Sequence, residues 1–208
     1  MDKLFPIFLR KFGQPSSIEA VPETAFLKYE SIFPDSLLSY WKEYGWCSFA
    51  DGLIWMVNPE IFDDIISDWV KDIPEFIGHE FHVFARSAFG NLYAWEPKLG
   101  FVIRVVCTQG FILTEKIYQR KIEKMNLEIQ SFFVAASQKD FDMTDESRSP
   151  LFRRAVEKLG ALDNTELYGF EPLLILGGRL VLENVKKLRM DVHLEIMRQF
   201  TDPKLAQI

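Results

Sequence analysis

Three histidines, two cysteines and a dense group of carboxylates are the side chains of this 208-residue chain whose types could support chemistry. His79-Glu80-Phe81-His82 places two imidazoles and a carboxylate within one short segment. A helical zinc site needs histidines four apart, so that both project to one side. Here they are three apart at a strand entry, where they face opposite sides of the chain. The third histidine, His193, could join them only through folding, so the spacing argues against a metal. Cys47 as a nucleophile would need a nearby base and an electropositive setting. Its surroundings are aromatic and its charged neighbours largely acidic. Cys47 and Cys107 both read as buried thiols, with a disulfide as the alternative. Gly177-Gly178-Arg179 lacks the Lys-Ser/Thr that completes a phosphate loop and reads as a turn. Asp63 and Asp64 are adjacent, so on a helix they diverge by about 100°. Asp64 and Asp68 share a side but would be exposed, with little to poise either for acid–base work. The residues imply no reaction centre, no metal and no cofactor.

What stands out instead is where the charge lies. Residues 51–80 hold eight acids (Asp51, Glu60, Asp63, Asp64, Asp68, Asp72, Glu75 and Glu80) and one base, Lys71. That segment is therefore −7 against −6 for the whole chain, and everything else sums to +1. Such a surface repels nucleic acid and attracts a basic partner. Basic residues at Lys116, Arg120, Lys121, Lys124, Lys186, Lys187 and Arg189 are interleaved with acids, and the pI is near 5.2, so direct nucleic-acid binding is not expected. Glu60, Asp64 and Asp68 recur every four residues, with Asp63 beside them and Asp72 one turn on. Like charges at that spacing cost about 0.2–0.5 kcal/mol per pair. Asp68 and Asp72 also stand at the end of the helix where the dipole disfavours acids. Two readings stay open for this row: a solvated face, or a partner-binding site made of Glu60, Asp63, Asp64, Asp68 and Asp72.

The elements that must carry these residues follow from periodicity and punctuation. Leu4, Phe8 and Phe12 predict a short helix stopped by Gly13, and 14–22 reads as a loop. Ala25, Phe26, Tyr29 and Phe33 form a second apolar face. Pro34 suits a helix start, Leu37, Leu38, Trp41 and Tyr44 line one side, and Gly45 ends it. Asp51-Gly52 between Trp46–Phe49 and Leu53–Val57 predicts a hairpin. Asn58-Pro59-Glu60 caps the acidic helix, whose buried face is Phe62, Ile65, Ile66 and Trp69. Residues 79–115 read as an antiparallel meander with strands at Glu80–Arg86, Leu92–Trp95, Phe101–Cys107 and Phe111–Thr114. Helices are expected around Ile129–Ala136 and Leu151–Leu159, and Val185, Leu188, Val192 and Ile196 predict a last one. Lys139–Ser149 reads as an exposed loop, and Tyr168–Gly178 as short extended pieces. The fold class is α+β: an antiparallel sheet meander flanked by helices, with a mainly helical C-terminal part. The expected division is 1–122 and 123–208, the second packed on the first. The apolar runs are far shorter than the roughly 18 residues that span a bilayer. Met1–Phe5 has neither the basic head nor the apolar stretch of a signal peptide. The expected location is the cytoplasm, without membrane contact.

Two segments resemble known sequences. Ala85-Arg86-Ser87-Ala88-Phe89-Gly90-Asn91-Leu92-Tyr93-Ala94-Trp95 resembles the signature of the GAD-like domain. Tyr168-Gly169-Phe170-Glu171-Pro172, Leu176-Gly177-Gly178, Leu182–Leu188 and His193-Leu194 resemble the C-terminal domain that often follows it. The pairing is similar to bacterial type VI secretion immunity proteins, whose toxins include DNases. The segment Phe33–Phe49 also resembles the broader SMI1/KNR4-type immunity proteins. The resemblance implies a non-enzymatic protein that binds and blocks a cognate secreted effector, with a nuclease as the expected class and no small-molecule substrate. Two rivals stand beside it. One is a regulatory adaptor that binds a basic host protein; the other is an enzyme with a site near His79, Glu80 and His82.

Overall fold

A computed structural model describes residues 4–114 and 124–207. The chain begins with α1 (Phe5–Phe12), β1 (Ser16–Glu19), α2 (Glu23–Tyr29) and α3 (Asp35–Tyr44). Next come β2 (Trp46–Phe49), β3 (Ile54–Met56) and α4 (Asp63–Val70), then β4 (His82–Ser87), β5 (Leu92–Glu96), β6 (Phe101–Val106) and β7 (Phe111–Thr114). The rest holds α5 (Met125–Ala135), α6 (Phe152–Leu159), β8 (Glu166–Phe170), β9 (Val185–Arg189), α7 (Met190–Gln199) and β10 (Lys204–Gln207). Strands β1 to β7 lie side by side in sequence order, each pair antiparallel, and β10 closes the row in parallel with β7. Strands β8 and β9 form a separate antiparallel pair. The class is α+β, as the sequence implies, with a C-terminal part built on α5, α6 and α7.

Helices α1, α3 and α5 pack together through aromatic rings. Phe133 of α5 sits 5.2 Å from Phe5, 5.1 Å from Phe8 and 5.5 Å from Tyr40, and Phe132 reaches the sheet at Phe84 (5.0 Å) and Tyr93 (5.2 Å). Edge contacts of this kind add to the burial of each ring. The hydrophobic cluster is continuous and draws on both ends of the chain, from Phe5 to Met197.

Several expectations need correction. The 14–22 segment is not all loop, because β1 pairs with β2 along the sheet edge. The helix expected from Val185 onward is two elements. Val185 and Leu188 lie in β9, and α7 buries Met190, His193, Leu194 and Met197 while Val192 and Ile196 face outward. Lys139–Ser149 is not an exposed loop: Phe141, Met143 and Asp145 are buried. Asp145 Oδ1 accepts from the Ser147 and Ser149 amides at 2.9 Å each, and Oδ2 accepts from Arg154. The expected division at 122/123, and Lys116, Arg120 and Lys121, lie outside the described residues.

Candidate functional site

Helix α4 is placed by its start. The Asn58 side chain accepts the Glu60 amide at 3.1 Å, Pro59 opens a short 3₁₀ turn, and the chain enters α4 at Asp63. Phe62, Ile65, Ile66 and Trp69 are buried, as their spacing predicts. The opposite side carries the acidic row.

The structure brings basic side chains to that row, most of them from other elements. Lys28 of α2 donates to Glu60 at 2.9 Å and lies 3.8 Å from Asp63. The Glu60 hydrogen bond raises the Lys28 pKa. His82, at the head of β4, has Nδ1 3.8 Å from the other Asp63 oxygen. Burial lowers the His82 pKa although Asp63 opposes it. At the far end, Lys71 pairs with Asp68, and Arg198 of α7 pairs with Asp72. Arg198 also donates to the Asp68 carbonyl at 2.8 Å and the Thr201 carbonyl at 2.7 Å. The Asp68 carbonyl belongs to the last turn of α4, where a cation complements the helix dipole. The penalty that local spacing implies for Asp68 and Asp72 is thus offset inside the molecule. Asp64 alone in the row has no partner among the described residues.

The other candidate chemistry resolves into structure. His79 turns to Glu96, with Nδ1 2.9 Å from Glu96 Oε1, and Glu96 Oε2 accepts the Leu99 amide at 2.7 Å. No group of three or more potential metal ligands occurs among the described residues. Burial pushes the Cys47 thiol up to about 12 and that of Cys107 higher, so both are protonated thiols at neutral pH. Gly177 is a left-handed turn residue, and Arg179 pairs with Glu146 at 2.6 Å. No helix of the described residues is long and apolar enough to cross a membrane.

The two segments that carried the family resemblance meet each other. Arg86, fully buried, stacks 4.6 Å over the Trp55 ring and aims Nη2 at the carbonyls of Asp163 (3.4 Å) and Asn164 (3.3 Å). Burial lowers its pKa to about 9, still leaving it charged at neutral pH. The Tyr168 amide donates to the Ala88 carbonyl at 2.8 Å, and Phe89 packs on Tyr168 and Phe170. Gly90, at φ +79°, turns where a Cβ would lie 3.0 Å from Leu167 and 3.4 Å from Leu194. Gly169 lies so close to His193 that a Cβ would stand 2.5 Å from its Nε2. Sequence reasoning read these residues as turn and core. It missed the cation of Arg86 and that of Arg198, because arginines ordinarily signal a solvated surface.

Two family models match the chain in succession. A family model for the GAD-like domain matches residues 3–109, and one described as T6SS immunity protein Tdi1, C-terminal, matches residues 126–201. No curated protein matches the chain. The crystal structure of Atu4351 from Agrobacterium tumefaciens superposes with a TM-score of 0.85 at 21% identity, covering 97% of this chain and 91% of that one. At that identity the likeness is one of fold. With the first model spanning more than half of its residues and the second matching further along, the chain belongs to the GAD-like domain family and carries a match to the C-terminal domain of a type VI secretion immunity protein.

Proposed function

We propose that this protein protects its cell by binding a cognate type VI effector, a nuclease, in the cytoplasm. It acts as an inhibitor that makes and breaks no bonds itself. The observation that carries this reading is the immunity-protein match over 126–201, seated on the GAD-like region through Arg86, Ala88 and Phe89. The nuclease class is favoured by charge. An enzyme that holds phosphates presents cations, and the acidic side of α4 complements such a surface. In this reading Glu60, Asp63, Asp64, Asp68 and Asp72 face the effector, and no cofactor, nucleic acid or small molecule takes part. The reading includes two units, 1–122 and 123–208, divided between the two matched spans.

The test is co-expression with the product of the adjoining reading frame, where the reading expects a secreted toxin, followed by growth and pull-down measurements. Protection by this chain and co-purification of the pair are expected. Cells that lack the chain and survive the toxin as well as their siblings would overturn the reading. Asp64→Lys is the cleanest probe of the acidic row, because Asp64 has no internal partner among the described residues to disturb. Unchanged affinity for that variant and for Asp63→Lys would take α4 out of the interface and leave the immunity role standing.

A further inference from the structure

Helix α7 is apolar on two sides. Its inner side buries Met190, Leu194 and Met197. On its outer side Val192, Ile196 and Phe200 recur every four residues and remain 47%, 38% and 56% exposed. A surface helix of a self-sufficient domain needs one apolar stripe, with polar residues opposite. A second stripe left in water marks a contact surface.

Next to this stripe runs a groove of about 380 Å³ between α4 and α7, formed by Asp64, Ile65, Asp68, Trp69, Glu195 and Arg198 among others. At about 100° per residue, Glu195 and Gln199 face the groove, and Val192 and Ile196 come next around the helix. Trp69 is fully buried in the groove wall, and its Nε1 has no hydrogen-bond partner. The carboxylates of Asp64 and Glu195 border the groove and likewise have no partner among the described residues. Arg198 of α7 ties itself to α4 by its bond to the Asp68 carbonyl and its pair with Asp72 just beyond that helix, so the ledge is set before any partner arrives. An apolar centre edged by unpaired acids fits a partner with the inverse pattern: an apolar knob ringed by lysine or arginine.

We propose that the α4–α7 ledge is the docking surface for the effector, with Val192, Ile196 and Phe200 as the apolar anchor and Asp64 and Glu195 as the rim. This rests on the immunity reading and extends it from one acidic helix to a two-helix surface. Anchors at the centre of an interface carry most of its affinity, and rim charges govern the association rate and its salt dependence.

The experiment titrates the full chain with a catalytically inactive form of the toxin that the co-expression test identifies. Wild type is compared with Ile196→Lys, Val192→Lys and Glu195→Lys. Circular dichroism and melting serve as folding controls, and sedimentation reports the chain alone. Either anchor variant should weaken binding by about 30-fold or more at unchanged melting temperature. Glu195→Lys should slow association and flatten its salt dependence. If wild type binds and protects but both anchor variants bind equally well, the ledge is refuted and the immunity reading survives. If wild type neither binds nor protects, both fall together. A wild-type dimer that Ile196→Lys converts to monomer, with toxin binding intact, would assign the stripe to a second copy and overturn the proposal.

Discussion

Truncating Arg198 should loosen the hold of α7 on α4, and the structure separates the causes. The guanidinium donates to the main-chain carbonyl of Asp68 in α4 and to that of Thr201 three residues on in its own segment; it pairs with the Asp72 carboxylate and lies 3.9 Å from that of Asp68. The arginine side chain is 10% exposed, so the carbonyl bonds are shielded; the Asp72 side chain is 63% exposed, so its charge is screened by water. A charged donor to a carbonyl is worth about 1.5 kcal/mol at the low end, giving about 3 kcal/mol for the two. An exposed ion pair adds less than about 1 kcal/mol. Arg198→Ala should therefore cost about 3 kcal/mol, a fall of about 6–12 °C in melting temperature for a chain of this length. Asp72→Asn should cost under about 1 kcal/mol, and Arg198→Lys should fall between, because an ammonium cannot serve both carbonyls and the carboxylate with one fork. Urea unfolding followed by tryptophan fluorescence, with Trp69 reporting from α4, measures all three, and the double variant gives the coupling. If Asp72→Asn is as damaging as Arg198→Ala, or if the arginine effect vanishes in high salt, charge pairing rather than the carbonyl bonds carries the stability and the reasoning fails.

Phe133→Ala should destabilise the fold by about 3–5 kcal/mol, read from the same unfolding curves, because the ring is fully buried among Phe5, Phe8, Tyr40 and Phe132. Gly169→Ala should lower the melting temperature by several degrees, since its Cβ would press on His193 and, at 2.8 Å, on Leu188; an ordinary exposed Gly→Ala change would not. Stability should also decline as pH falls below about 6.5, because burial lowers the folded-state pKa of His82 and His193 and protonation then favours the unfolded chain. A second decline is expected below about pH 4. Hydrogen bonds from Ser147 and the pairing with Arg154 hold the Asp145 carboxyl well below the usual range, so its stabilising charge is present above the unfolded value and lost in acid. Asp145→Asn should flatten that second slope in an acid titration of melting temperature, and leave the first unchanged.

The parts of the fold legible in the sequence are those where local signals agree with burial. Asn58-Pro59 and the spacing of Phe62, Ile65, Ile66 and Trp69 specify α4 because cap and buried face point the same way. The β4–β7 meander is legible because glycine-bearing turns interrupt apolar runs at short intervals. Strand β1 was hidden because all four of its residues are exposed on the sheet edge, which leaves no alternation to read. Strand β9 and helix α7 were merged because Val185, Leu188, Val192 and Ile196 happen to keep helical spacing across a change of backbone at Met190. Half of that pattern belongs to a strand and half to an outward face. The acidic row of the candidate site was visible as charge density, but its partners were not. Lys28, His82 and Arg198 come from segments far away in the chain, and only folding brings them to α4.

The meeting of Arg86, Phe89 and Gly90 with residues 163–170 bears on how such genes can be recombined. A chimera that keeps the first 109 residues and borrows a tail from a relative must inherit carbonyls at the reach of Arg86 and side chains that fit against Gly90 as Leu167 and Leu194 do. The two segments are fitted to each other at these contacts. Under the proposed function, a new toxin specificity is expected to arise by recolouring the outer helices of an intact protein and not by exchanging its tail.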